Sequence, residues 1–189
     1  ETKFWLKASA DSGNTWVVNL DEIGPSWKGA LPDQYDPAHD TIRYKVLWGN
    51  LMAGGAGTEW YFGYKFPHSD LACEDWRSRD KLWDQTKVAL DFFHTYLPFT
   101  DMKSADDLTT EKTDYCFAKE GQIYAIYLPE GKTTDISLPE GKFDVAWFNP
   151  RTWDKLIKGD PGQITGGKKV SIGTPPNQND WVCLIKLNN

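Results

Sequence analysis

The chain has 189 residues, 40% of them hydrophobic and 25% charged, with 21 Lys and Arg against 27 Asp and Glu for a net charge of −6. That length suits one domain or at most two, and the composition excludes a disordered or fibrous chain. The acidic balance argues against a nucleic-acid partner, no apolar run nears the roughly 18 residues of a membrane span, and residues 1–12 lack the apolar centre of a signal peptide.

Two unlike halves follow in chain order. Residues 1–98 hold seven of the 10 Trp and alternate helix with strand. Residues 1–11 read as a helix tail ended by Ser12-Gly13-Asn14, and Trp16–Leu20 as a buried parallel strand. Asp36-Pro37 is predicted to cap and open a second helix whose apolar face is Ile42, Val46, Leu47, Leu51 and Met52. Thr58–Tyr64 gives a second, aromatic strand. Ser78 is predicted to cap a last helix with Leu82, Trp83, Ala89, Leu90, Phe93 and Leu97 on its apolar face, stopped by Pro98. Helices alternating with strands call for a parallel sheet.

Residues 99–112 are polar and are predicted to be a linker. From Asp114 the period becomes that of strands, over Tyr115–Ala118, Ile123–Leu128, Thr133–Leu138, Phe143–Phe148, Lys169–Ile172 and Trp181–Leu187. LPEGK occurs at 128–132 and again at 138–142, with Pro second and Gly fourth as a type I turn prefers. Short strands separated by such turns predict a small antiparallel β-sandwich over 113–189. Cys116 and Cys183 fall in apolar strands and read as small buried hydrophobes, with a disulfide between them left open. With Cys73 they match neither a zinc motif nor a redox pair, so the compartment stays open.

Two parallel strands and three helices cannot enclose a core, and a closed barrel of strand–helix units takes at least about 200 residues. The first half therefore reads as the last portion of a (β/α)8 barrel and the chain as a fragment of a longer polypeptide. The overall class is α/β plus all-β.

The run WVVNLDEIGPSWKGALPDQYDPAHD, with YKVLWGNLMAGGAGTEWYFGYKFPHSDLACEDWRSRDKLWDQ after it, resembles the end of the catalytic barrel in apiosidase-like glycoside hydrolases. YCFAKEGQIYAIYLPEGK and FDVAWFNPRTW are similar to the sandwich that follows those barrels, a module labelled a collagen-binding domain of a collagenase. The resemblance implies secreted or periplasmic bacterial proteins of plant-polysaccharide breakdown. It also implies that Trp16–Asp21 is the seventh barrel strand and Gly57–Tyr64 the eighth, with the missing N-terminal portion of the barrel as a partner.

Barrel active sites lie at the carboxyl ends of the strands. Glu22 stands there, so the resemblance makes it the candidate catalytic carboxylate, with Asp21 behind it in rank. Glycoside hydrolysis needs two carboxyl groups, and the second belongs to an earlier strand outside this chain. The 189 residues are therefore expected to be inactive alone. A duller role for Glu22 is a loop carboxylate paired with Arg43 or Lys28.

Flat amphipathic rings suit the C–H faces of sugars, so Trp27, Trp60, Tyr61 and Tyr64 at strand ends are predicted substrate contacts, together with Glu59. Trp16, Trp48 and Trp83 are expected in the core. Asp75 and Arg77 are candidate contacts to sugar hydroxyls, with an Arg–Asp network that includes Arg79 and locks their loop as the structural alternative. Asp33, Asp36, His39 and Asp40 miss the calcium-loop spacing, so neither metal nor cofactor is expected. The competing function is a non-catalytic module that binds a matrix polymer, carbohydrate or collagen. For that role Trp153 is the one obvious exposed ring of the sandwich.

Overall fold

The computed structural model describes residues 1–72 and 74–188, so Cys73 lies outside the described residues, as does Asn189. The chain divides into two units, Glu1–Leu90 and Asp91–Asn189.

In the first unit, α1 (Thr2–Asp11) ends as its sequence predicts. Gly13 takes φ +82, Asn14 N–H reaches back to Ser9 O at 3.1 Å and Gly13 N–H to Ala10 O at 3.0 Å. Those two bonds satisfy carbonyls that a helix end leaves orphaned, and glycine accepts the left-handed conformation without strain.

Strands β1 (Asn19–Leu20) and β2 (Gly57–Thr58) pair in parallel, Asn19 with Gly57 and Leu20 with Thr58. Their ladder is much shorter than the apolar runs that contain it. Trp16 and Val17, expected in a buried strand, are 59% and 77% exposed. The reason is local: among the described residues β1 has only β2 as a neighbour.

The second helix also starts late. Asp36 Oδ1 accepts from His39 N–H at 3.1 Å, and His39 turns to φ +50, so residues 36–39 form a capped turn of their own. Helical turns occupy Ile42–Trp48, wound as a π-helix, and continue into α2 (Gly49–Met52). Buried Asn50 then ties this helix to its neighbours: it accepts from Thr2 Oγ1 at 2.7 Å and donates to Gly57 O at 2.7 Å.

A 3-10 turn (Trp76–Arg79) leads into α3 (Asp80–Tyr96). Asp75, not Ser78, caps it, through an acceptor contact from Arg77 N–H at 3.1 Å. The buried stripe of α3 includes Leu82, Val88, Ala89, Phe92 and Phe93, whereas Leu90 faces outward. The division between units falls inside this helix.

In the second unit, six antiparallel strands form one sheet in the order β3-β4-β5-β10-β7-β8. They are β3 (Lys103–Ser104), β4 (Tyr115–Lys119), β5 (Ile123–Leu128), β7 (Lys142–Phe148), β8 (Ile157–Thr165) and β10 (Trp181–Leu187). A two-stranded ribbon, β6 (Asp135–Ser137) with β9 (Lys169–Ser171), makes the second layer. Alternation assigns each face. Tyr124, Ile126, Leu128, Phe143, Val145, Trp147, Trp181, Cys183 and Ile185 point into a core completed by Ile136 and Ile172. The opposite face meets the end of α3, where the Phe92 ring lies 4.6 Å from that of Phe148 and the Phe93 ring 5.8 Å from that of Phe117.

Three expectations change here. Residues 99–112 are not a bare linker, because β3 joins the sheet and the 3-10 turns Phe99–Asp101 and Asp106–Leu108 flank it. Strand β8 went unseen because Gly159-Asp160-Pro161-Gly162 interrupts it; as an edge strand it needs no second ladder at the proline. The two LPEGK copies also differ. The first closes a turn from Gly131 N–H to Leu128 O at 3.3 Å, while in the second Leu138 O and Pro139 O accept from Gly167 N–H. No helix among the described residues is long and apolar enough to cross a membrane.

Candidate functional site

At the carboxyl ends of β1 and β2 the chain leaves the sheet together: Glu59 N–H donates to Leu20 O at 2.9 Å. Asp21, Glu22 and Glu59 are exposed there. Glu22 takes φ +48, a left-handed conformation that costs a non-glycine residue free energy and that recurs at His39 and His68. Its carboxylate makes neither hydrogen bond nor ion pair among the described residues. Arg43, one expected alternative partner, pairs with Asp40 at 2.6 Å and donates to Ala38 O.

Tyr61 is the residue on β2's extension that feels Glu22. Desolvation, and then the charges of Asp70, Tyr64 and Glu22, push its phenol above the ordinary value. Its hydroxyl donates to Ser26 O, in the loop that follows Glu22. That loop is stitched to the extension by Ala30 N–H to Tyr61 O at 2.7 Å and Lys65 N–H to Trp27 O at 3.0 Å. Two glycines permit the approach. Gly29 is at φ +53 and Gly63 at φ +67; a Cβ on Gly29 would stand 2.3 Å from Tyr61 O. Asp70, which sequence reasoning missed, holds the extension from behind, one carboxylate oxygen accepting from Phe62 N–H at 2.5 Å and Gly63 N–H at 2.9 Å.

Exposed rings surround this junction. Trp27 and Tyr64 face solvent, and the Lys65 ammonium sits 4.6 Å from the Trp27 ring centre. Trp60 does not join them. Alternation turns it inward, where it is 8% exposed and its indole N–H donates to Thr86 Oγ1 at 2.9 Å. It packs as a core residue rather than as the exposed substrate contact that its strand-end position predicts. Trp48 is buried as expected, and Trp83 half-buried.

Asp75 and Arg77 engage each other. Arg77 Nε donates to Asp75 Oδ1 at 2.9 Å, and this bond leads the causes that hold the Asp75 carboxyl below the ordinary range. Arg79, the loop's other arginine, lies buried and donates to the carbonyls of Ala30, Pro67 and His68. Only its chemistry as a multi-donor fork hinted at that role. No group of three His, Cys, Asp or Glu side chains among the described residues is arranged to hold a metal ion.

In the second unit, Trp153 is half exposed and packs edge-on against Phe148. Its loop is fixed by Arg151, whose Nη1 meets Asp180 Oδ1 at 2.7 Å; Asp180 is fully buried and also accepts from Tyr127 Oη at 2.7 Å.

The chain is similar in fold to a glycoside hydrolase family 5 structure from Bacteroides vulgatus, with a TM-score of 0.64 and 13% identity over 98% of this chain and 45% of that one. A second structure, described as a glycoside hydrolase, gives a TM-score of 0.67 and 12% identity over 98% of this chain and 46% of that one. The chain thus spans just under half the length of these structures. No curated protein matches it. Residues 101–186, most of the second unit, match the family described as "Putative collagen-binding domain of a collagenase".

Proposed function

We propose that this chain is the C-terminal part of a secreted glycoside hydrolase acting on plant or bacterial polysaccharide, with the first unit as the last two strand–helix units of a (β/α)8 barrel and the second as an accessory β-sandwich. The observation that carries the reading is Glu22. It is an unpaired carboxylate in a left-handed conformation, at the carboxyl end of a parallel strand, beside Tyr61 of the neighbouring strand. Strand ends of that kind carry catalytic groups in such barrels. The fold likeness to glycoside hydrolases and the exposure of Trp16 and Val17, just before β1, support it.

In this reading Glu22 serves as one of the two carboxyl groups that flank the scissile bond; its partner comes from a strand outside these residues. Tyr61 fixes the loop that carries Glu22, Trp27 and Tyr64 offer ring faces to the sugar, and Glu59 accepts from its hydroxyls. Asp75 and Arg77, satisfied by each other, and buried Trp60 are left out. The test is hydrolysis by the complete gene product. Glu22→Gln should lower turnover by about 10²–10⁴-fold with the fold intact. An unchanged rate would remove Glu22 from the reaction.

A second reading has its own support in the family match over 101–186 and in exposed Trp153. In it the second unit binds a matrix polymer without chemistry. Co-sedimentation of the chain with insoluble polysaccharide or collagen fibrils, lost in Trp153→Ala, would favour it.

A further inference from the structure

The second unit carries a groove of about 820 Å³. Its lining comes from Glu111 before β4, the first LPEGK turn after β5 and residues 174–178 before β10, segments that the strand register brings to one end of the sheet. These loops are tied to one another. Glu111 N–H donates to Thr134 Oγ1 at 3.3 Å, Thr133 Oγ1 donates to Gly173 O at 2.5 Å, and a Cβ on Gly131 would collide with Asn179 O. The Asn177 amide is fixed as well: its Oδ1 accepts from Asn179 N–H and from the Trp181 indole N–H, each at 3.0 Å. Two N–H donors on one end of the amide identify that end as oxygen. The exposed residue therefore keeps an Nδ2 with two donors and no protein partner among the described residues. Glu111, Thr174 and Gln178 line the same groove and are exposed, and their side chains make no hydrogen bond or ion pair among the described residues. Lys132, the cation of this lining, is paired with Glu130.

We infer that this groove is a binding site for a short neutral oligosaccharide. Its volume falls within the roughly 300–1,000 Å³ of small-molecule sites, but an apolar ligand calls for a mainly hydrophobic lining, and this one is mainly polar. The free groups select the ligand. Glu111 only accepts, Asn177 Nδ2 only donates, and Gln178 and Thr174 do both; each hydroxyl of a sugar also donates and accepts, so adjacent hydroxyls serve all of them. An ammonium would satisfy Glu111 and could accept nothing from Asn177. A ligand carboxylate meets the charge of Glu111, while the charge of Lys132 is already answered by Glu130. Exposed Pro176 offers C–H surface to a sugar ring. Each new bond replaces one to water and so contributes little, but loops already held in place keep the cost of ordering low. The site rests on neither functional reading above: Glu22 and Trp153 are not among its lining residues, and the failure of either leaves it standing.

The test is an NMR titration of the isotope-labelled 189-residue chain with cellotriose, xylotriose, mannotriose and trigalacturonate. At least one neutral sugar should move the Asn177 side-chain amide, the Trp181 indole and the Gly131 and Gln178 amides saturably. Its Kd should be about 0.1–10 mM, at least about tenfold tighter than that of trigalacturonate. Asn177→Asp keeps an acceptor for Trp181 and Asn179 and removes the Nδ2 donors, so it should weaken that sugar at least about tenfold. Should that variant fail to fold, the sugar series and the map of shifted signals still decide. No saturation by any of the three neutral sugars, equal binding of trigalacturonate, undiminished affinity in a folded Asn177→Asp, or shifts confined to Trp27 and Tyr64 or to Trp153 overturns the proposal.

Discussion

Cys116 and Cys183 both stand in register with Ile126, one on each side of β5, on the same face of the sheet. Two strand spacings separate them, about 9–10 Å, whereas a disulfide tolerates Cα atoms no more than about 7 Å apart. The disulfide that the sequence leaves open is therefore closed off by one intervening strand. Both thiols are buried, and burial pushes that of Cys183 well above its ordinary value. Peptide mapping after alkylation of the native chain should find neither position modified, and both modified once the chain is unfolded. A linked Cys116–Cys183 peptide would show that the register is wrong.

Asp114 supplies the pH dependence. Burial, opposed by a hydrogen bond from Thr134 and reinforced by Glu111, Glu130 and Asp106, pushes its carboxyl up to about 7. Only 6% of the residue is exposed, and Oδ2 has no partner. A folded-state value above the unfolded one means that the folded chain holds the proton more tightly. The stabilisation is complete below about pH 4 and is lost as pH rises toward and through 7, with a total on the order of 2–4 kcal/mol. Urea midpoints at pH 5 and pH 8 should differ accordingly, and Asp114→Asn should flatten the difference. An equally steep profile in the variant would assign the effect to other groups.

Trp147 is almost fully buried at the centre of the second unit's core, and its indole N–H finds no acceptor. Trp147→Ala should cost about 3–5 kcal/mol by denaturant unfolding. Trp147→Phe should cost much less than its lost volume suggests, because it also removes an unsatisfied donor. A loss under about 1 kcal/mol for the alanine variant would mean that the ring is not packed as described.

Gly29 and Gly63 allow the Glu22 loop to lie on the β2 extension, and each has backbone within 3 Å of where a Cβ would sit. Alanine at either place must shift that backbone and adopt a positive φ, a combined cost of roughly 1–3 kcal/mol. Gly13→Ala meets nothing within 4 Å and bears only the conformational part. Thermal unfolding of the three variants should therefore rank Gly13→Ala as the mildest. A reversed order would contradict the close approach.

What could be read from the sequence was whatever depends on near neighbours. The helix stop at Ser12-Gly13-Asn14 and the strands Ile123–Leu128 and Trp181–Leu187 lie where period and cap chemistry put them. Strand alternation also placed Phe143, Val145 and Trp147 on one face. The misplaced residues depend on distant partners. Trp60 faces inward because the exposed side of its strand is taken by Glu59 and Tyr61, a period-two argument that strand-end position alone overrides. Arg79 is held by three carbonyls from two separate segments, and Asp70 by amides seven and eight residues before it. No pattern of side-chain types announces such a partner.

Helix α3 belongs to both units, and so the seam that composition suggests is not the place where the protein can be taken apart. The rings of Phe92, Phe93 and Tyr96 cover part of one face of the six-stranded sheet, against Phe148 and Phe117. A gene fusion begun at residue 113 would transplant the strands and leave that covering behind, together with β3. Its product should be sticky, binding a hydrophobic dye and self-associating, where one begun at residue 91 stays clean. For evolution the consequence is the same: an exchange of this module between proteins has to break inside a helix, carrying about one and a half of its turns as luggage.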